Sequence, residues 1–138
     1  MGLEIKTSDN EKSFRIGYFG FSFIRRFFLL HYGTEVHDEY LAMLRNLTFD
    51  TEEIFFFSEK FYEKIDDLSI LIDHSDCDGE LTSEECKRLK PCLFVDEDTI
   101  IKALPDFKEP ERYFPLMYEF IDLINYCASN PEVKLIFG

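Results

Sequence analysis

His74, Asp76, Cys77, Asp78, Glu80, Glu85 and Cys86 crowd into one short run, His74-Ser75-Asp76-Cys77-Asp78-Gly79-Glu80-Leu81-Thr82-Ser83-Glu84-Glu85-Cys86. Nowhere else does the chain set histidine, aspartate and cysteine so close together. Alternating aspartates, a glycine and further acidic residues are the order in which an EF-hand loop offers oxygen to calcium. With Gly79 at the sixth loop position, His74 falls at the first, Asp76 at the third and Asp78 at the fifth. Glu80 then stands at the seventh, Thr82 at the ninth and Glu85 at the twelfth. In a calcium site Asp76, Asp78 and Glu85 would give side-chain oxygens, Glu80 would give its backbone carbonyl, and Leu81 would turn into the core. The first position departs from the pattern, because His74 presents an imidazole nitrogen, a poor calcium ligand. The expectation is a degenerate loop over 74–85 that binds Ca2+ weakly.

Two other readings of the same residues stay open. His74, Cys77, Cys86 and Cys92 match zinc in ligand type and number, but the thiols are not spaced as two close pairs. Alternatively no metal is needed: Asp76 and Asp78 accept backbone N–H groups in Asx turns, Gly79 takes positive φ, and Thr82 with Glu85 caps a helix. A Cys77–Cys86 disulfide is geometrically conceivable but disfavoured in a reducing compartment. As a nucleophile Cys77 would have its thiolate opposed by the flanking Asp76 and Asp78. The sequence carries no nucleophile elbow, zinc-protease helix, Walker loop or dinucleotide fingerprint. A non-enzymatic protein is therefore expected.

The run His74-Ser75-Asp76-Cys77-Asp78-Gly79-Glu80, with Cys86 downstream, resembles the motif of a family of small bacterial proteins with no assigned activity. The resemblance extends to the aromatic start Tyr18-Phe19-Gly20-Phe21 and to an ending of long helix, Asn130-Pro131 and Leu135-Ile136-Phe137. It implies one compact domain and no particular reaction.

The elements that must position the loop are legible from periodicity. Leu3–Lys6 and Ser13–Tyr18 alternate around a polar turn and predict a β-hairpin. Phe19 to Tyr32 has helical spacing and ends at Gly33; Val36 to Leu47 predicts a second helix. Ser58 to Asp73, with Phe61, Ile65, Leu68 and Ile72 on one face and Phe55-Phe56-Phe57 before it, predicts a third. Thr82 to Glu85 forms a capping box for a short helix ending near Pro91, and Asp96 caps another through Leu104. Tyr113 to Cys127 predicts the longest helix, with Pro115 in its first turn, and Val133–Phe137 a final strand. The fold class is α+β, a single domain over 1–138: an N-terminal hairpin joined by a C-terminal strand and packed with about five helices.

Charge bounds the partners. The net charge is −13, and residues 50–111 carry nineteen acidic against seven basic side chains. Phosphate backbones repel such a surface, so no nucleic acid is expected. The apolar run Tyr18–Leu30 is short and interrupted by Arg25-Arg26, so no membrane span is expected either. Arg25 and Arg26 are expected on a charged helix face, their stems lying over phenylalanines. The polar N-terminus and the unpaired cysteine pattern suggest the cytoplasm, with Cys77, Cys86, Cys92 and Cys127 reduced. The function expected is a binding module steadied by a cation in the loop. The alternative is an acidic inhibitor or immunity-type protein that meets a basic protein partner through residues 50–111.

Overall fold

The computed structural model describes residues 2–45, 61–72, 74 and 78–138. Strands β1 (Gly2–Thr7) and β2 (Ser13–Gly17) form the expected hairpin, with Leu3 opposite Ile16 and Ile5 opposite Phe14. Its turn is closed by Thr7, whose Oγ1 donates to the Lys12 carbonyl and accepts from the Lys12 amide. Strand β4 (Leu135–Phe137) pairs antiparallel with β1, which makes β1 central. A fourth strand, β3 (Glu80–Leu81), pairs antiparallel with β4 and gives the order β2-β1-β4-β3. Leu3, Ile5, Phe14, Ile16, Leu81, Leu135 and Phe137 all point to one buried face, as a pleat of period two requires.

The described helices are α1 (Tyr18–Leu29), α2 (Thr34–Arg45), α3 (Ser69–Ile72), α4 (Ser83–Leu89), α5 (Glu97–Ala103) and α6 (Phe114–Ser129), of which α1 and α6 pack on the sheet. Helix α1 runs into a 3-10 turn through Tyr32 that ends at Gly33, whose φ of 109° suits a residue without Cβ. On α6, Phe114, Met117, Phe120, Leu123, Ile124 and Cys127 are buried, and the helix lies across β1, β2 and β4. The core is a lattice of rings. Phe120 meets Phe21 at 5.9 Å, Phe14 at 6.4 Å and Phe28 at 6.4 Å, while Phe27 meets Phe107 at 5.4 Å. Tilted and edge-on pairs of this kind add about 0.5–1.5 kcal/mol each beyond the area they bury.

The long helix expected over Ser58–Asp73 is not continuous within the described residues 61–72. After a helical start at Phe61 the backbone turns, Asp66 takes φ 50°, a 3-10 turn covers Asp66–Leu68, and α3 follows. Aspartate tolerates the left-handed region better than most residues, so the break falls where its backbone cost is small. The buried set is nonetheless the expected one, since Phe61, Ile65, Leu68 and Ile72 all face the core. Phe55, Phe56 and Phe57 lie outside the described residues. Among the described residues no helix is long and apolar enough to cross a membrane.

Candidate functional site

The 74–85 loop bridges the end of α3 and the start of α4, and β3 is its descending limb. Asp76 and Cys77 lie outside the described residues. Gly79 has φ 90°, and its carbonyl accepts from the Phe137 amide at 2.9 Å, so the glycine both turns the chain and starts the pairing with β4. A Cβ at Gly79 would stand 3.3 Å from Cε1 and Nε2 of His74. The His74 ring thus lies tight against the glycine, tilted on the Phe137 ring at 4.2 Å.

The remaining contacts show what each candidate ligand is doing. His74 Nε2 lies 3.2 Å from the Glu80 carbonyl; a carbonyl can only accept, so this nitrogen carries the hydrogen and donates it. Glu80 is the seventh loop position, whose carbonyl a calcium ion would claim. The Glu80 carboxylate accepts from Lys134 Nζ at 3.0 Å. Glu85 Oε1 accepts from the Thr82 amide at 3.0 Å, while Thr82 Oγ1 accepts from the Glu85 amide at 3.2 Å, the capping box expected for α4. Asp78 is exposed. The main chain is tied from outside as well, because buried Arg25 donates from Nη2 to the His74 carbonyl at 2.7 Å.

Among the described residues no group of three or more His, Cys, Asp and Glu side chains is placed to hold a metal ion. His74, Cys86 and Cys92, three of the four residues suited to zinc, are therefore not brought together. Cys86, Cys92 and Cys127 are free thiols. Buried Cys86 faces Cys127 across the α4–α6 contact. Its hydrogen bond to Cys127, then burial, push its thiol far above the ordinary value, so Cys86 keeps its proton rather than serving as a thiolate ligand. Ser83 Oγ donates to the Cys127 carbonyl at 2.7 Å, which fixes the same seam.

The other histidines have structural partners. His31 stacks on Phe94 at 3.6 Å. His37 is almost wholly buried, with Nδ1 3.2 Å from Asp38 Oδ1 and Nε2 accepting from Arg26 Nε at 3.2 Å. Burial lowers its pKa, against the opposing pull of Asp38, and favours the neutral ring. Arg25 does not lie on the exposed face expected of it. Its guanidinium is buried 4.4 Å from the Phe21 ring centre, while Arg26 lies over Phe23 and Phe107 at 5.6 and 5.7 Å.

Beside the loop opens a shallow cleft of about 340 Å³, lined by Tyr62, Ser69, Ile70, His74, Leu81 and Glu85. Sequence reasoning had no handle on this cleft, because its walls come from five places along the chain: Tyr62, α3, His74, β3 and α4. The surface is also marked by its charge. Seven described Lys and Arg side chains already pair with carboxylates of their own chain, at Lys12–Asp122, Arg15–Glu4, Lys64–Glu39, Lys87–Glu84, Arg88–Asp67, Arg112–Glu109 and Lys134–Glu80. Asp98, Asp106, Glu111 and Glu119 are exposed and have no ion pair among the described residues. Comparison with known proteins finds no matching family model, no matching curated protein and no matching solved structure.

Proposed function

We propose that the protein is a non-enzymatic interaction module that engages a basic partner through its acidic surface. The observation that carries this reading is the disposition of charge. Internal ion pairs take up much of the cationic complement, and the carboxylates left over face solvent. A net charge of −13 steers a cationic partner in and turns anionic ones away. The test is association of the full chain with poly-L-lysine, with poly-L-glutamate as comparison, across ionic strength. Binding to the cationic polymer alone, weakened about tenfold or more between about 0.05 and about 0.2 M salt, is the expected result. Association that ignores salt, or none at low salt, overturns the reading.

A weak cation site in the 74–85 loop is the second reading. Gly79 at φ 90° favours it, since an EF-hand loop needs its sharp turn at that position. Against it stand the donor from His74 at the Glu80 carbonyl and the use of Glu85 as a cap. A saturating rise in melting temperature with calcium and not with magnesium would establish the site.

A further inference from the structure

We infer that the face shared by α5 and α6 docks a lysine- or arginine-rich polypeptide segment that also carries apolar side chains; this rests on the acidic-module reading above. Two large side chains are exposed there, Ile101 at 45% and Tyr118 at 50%. The Tyr118 hydroxyl donates to Glu97 Oε2 at 3.3 Å, which ties the two helices together at this point. Glu97 and Ile101 are four residues apart on α5 and so lie on one side of it. On α6, Pro115, Tyr118, Glu119 and Asp122 recur at helical spacing and are all exposed. The 3-10 turn Pro110–Tyr113 packs on both helices and brings exposed Glu111 to the border.

The chemistry around the two apolar side chains selects the occupant. Glu97, Asp98, Glu111 and Glu119 are carboxylates without an ion pair among the described residues. Of the cations on or next to these elements, Lys12 is held by Asp122 at 2.8 Å and Arg112 by Glu109 at 3.5 Å, while Lys102 and Lys108 have no ion pair among the described residues. A purely apolar partner would strip water from these carboxylates and return nothing, and an acidic one would be repelled. A basic segment meets both demands. The segment's apolar side chains cover the Tyr118 ring and Ile101, and its lysine or arginine heads reach Glu97 and Glu119. The other exposed aromatics lack this setting: Phe94 is stacked on His31, and Phe19, at the start of α1, has no ring contact among the described residues.

The experiment titrates isotope-labelled full-length protein with two synthetic peptides of equal charge, one alternating lysine with leucine and one alternating lysine with glycine. Amide shifts of the wild type should concentrate on α5 and α6 with the leucine peptide. The pair Ile101→Ser and Tyr118→Ser, at exposed positions, should weaken that peptide about tenfold while leaving the glycine peptide's affinity unchanged. Phe19→Ser should change neither. Shifts spread over other acidic surfaces, or leucine-peptide affinity untouched by the serine pair, overturn the docking face while leaving the acidic-module reading standing. Binding of neither peptide at low salt overturns both.

Discussion

The ring lattice between α1, α6 and the sheet differs in kind from the loop that runs from His74 to Glu85. In the lattice, Phe14, Phe21, Phe28, Phe120 and Phe137 contact one another through apolar surface, and few polar groups need satisfying. The described residues of the loop are tied chiefly by single directional contacts. Arg25 grips the His74 carbonyl, His74 grips the Glu80 carbonyl, and Thr82 and Glu85 cap each other. Apolar packing tolerates no lost volume, whereas each polar clasp secures one turn and can be removed at small cost. The first region makes the fold stable; the second sets where a short loop points.

Breaking the lattice should have the largest effect. Phe120 is fully buried and touches three other rings, so Phe120→Ala removes both transfer free energy and packing that its neighbours cannot refill. The expected loss is about 3–5 kcal/mol, read as a fall in the urea midpoint at constant slope. A loss below about 1 kcal/mol would mean that the rings repack freely and that the contrast between the regions is false.

The seam between the regions comes next. Ser83, buried at the start of α4, donates to the Cys127 carbonyl on α6. Ser83→Ala removes this tie between the helices while the Cys127 carbonyl keeps the Asn130 amide at 3.2 Å, and should cost about 0.5–1.5 kcal/mol. Ser83→Thr keeps the donor and should recover part of the loss, a recovery that simple packing would not give.

Much of this division was legible in the sequence. The hairpin, the final strand, the Thr82–Glu85 capping box, the Asp96 cap and Pro115 in the first turn of α6 all follow from local chemistry, because each is decided within a few residues. Strand β3 was not legible: two residues carry no alternation, and its existence depends on β4, more than fifty positions away. The break at Asp66 was hidden for another reason. Phe61, Ile65, Leu68 and Ile72 are buried whether the helix is continuous or interrupted, so periodicity does not separate the two. At the candidate site the residue types were evident, but the use of His74 as a hydrogen-bond donor packed on Phe137 arises only when β4 arrives. Arg25 shows the same limit, since its partner, the His74 carbonyl, lies 49 positions away.

The apolar side has a polar exception of its own, and pH exposes it. His37 is buried beside Arg26 and Asp38, and burial holds its pKa below the ordinary 6.5. The folded state therefore keeps the ring neutral while the unfolded chain still takes up a proton. The sign follows: stability is unaffected well above pH 6.5 and is lost as pH falls through and below that value. The slope is at most about 1.4 kcal/mol per pH unit for one group. His37→Gln should flatten this limb of the profile, so the difference between variant and wild type should change with pH. A difference that stays constant from pH 7.5 to pH 5.5 would show that His37 titrates alike in both states.

The smallest effect belongs to Asp78, and it separates a clasped turn from a cation site. The clasp needs Gly79, His74, Glu80, Glu85 and Lys134, and among the described residues exposed Asp78 makes no contact to it. Removing this carboxylate from the surface should then change stability by less than about 0.5 kcal/mol. The result should be the same in chelator and in millimolar calcium, because a ligand can stabilise only a fold that binds it. Thermal melts of wild type and Asp78→Ala in the two conditions give four melting temperatures that decide the matter. Equal spacing between the proteins in both conditions leaves the loop as a polar clasp. A wild-type rise with calcium that Asp78→Ala abolishes would instead make the loop a ligand site. The polar region would then be the place where this protein binds something, rather than the one that only aims a turn.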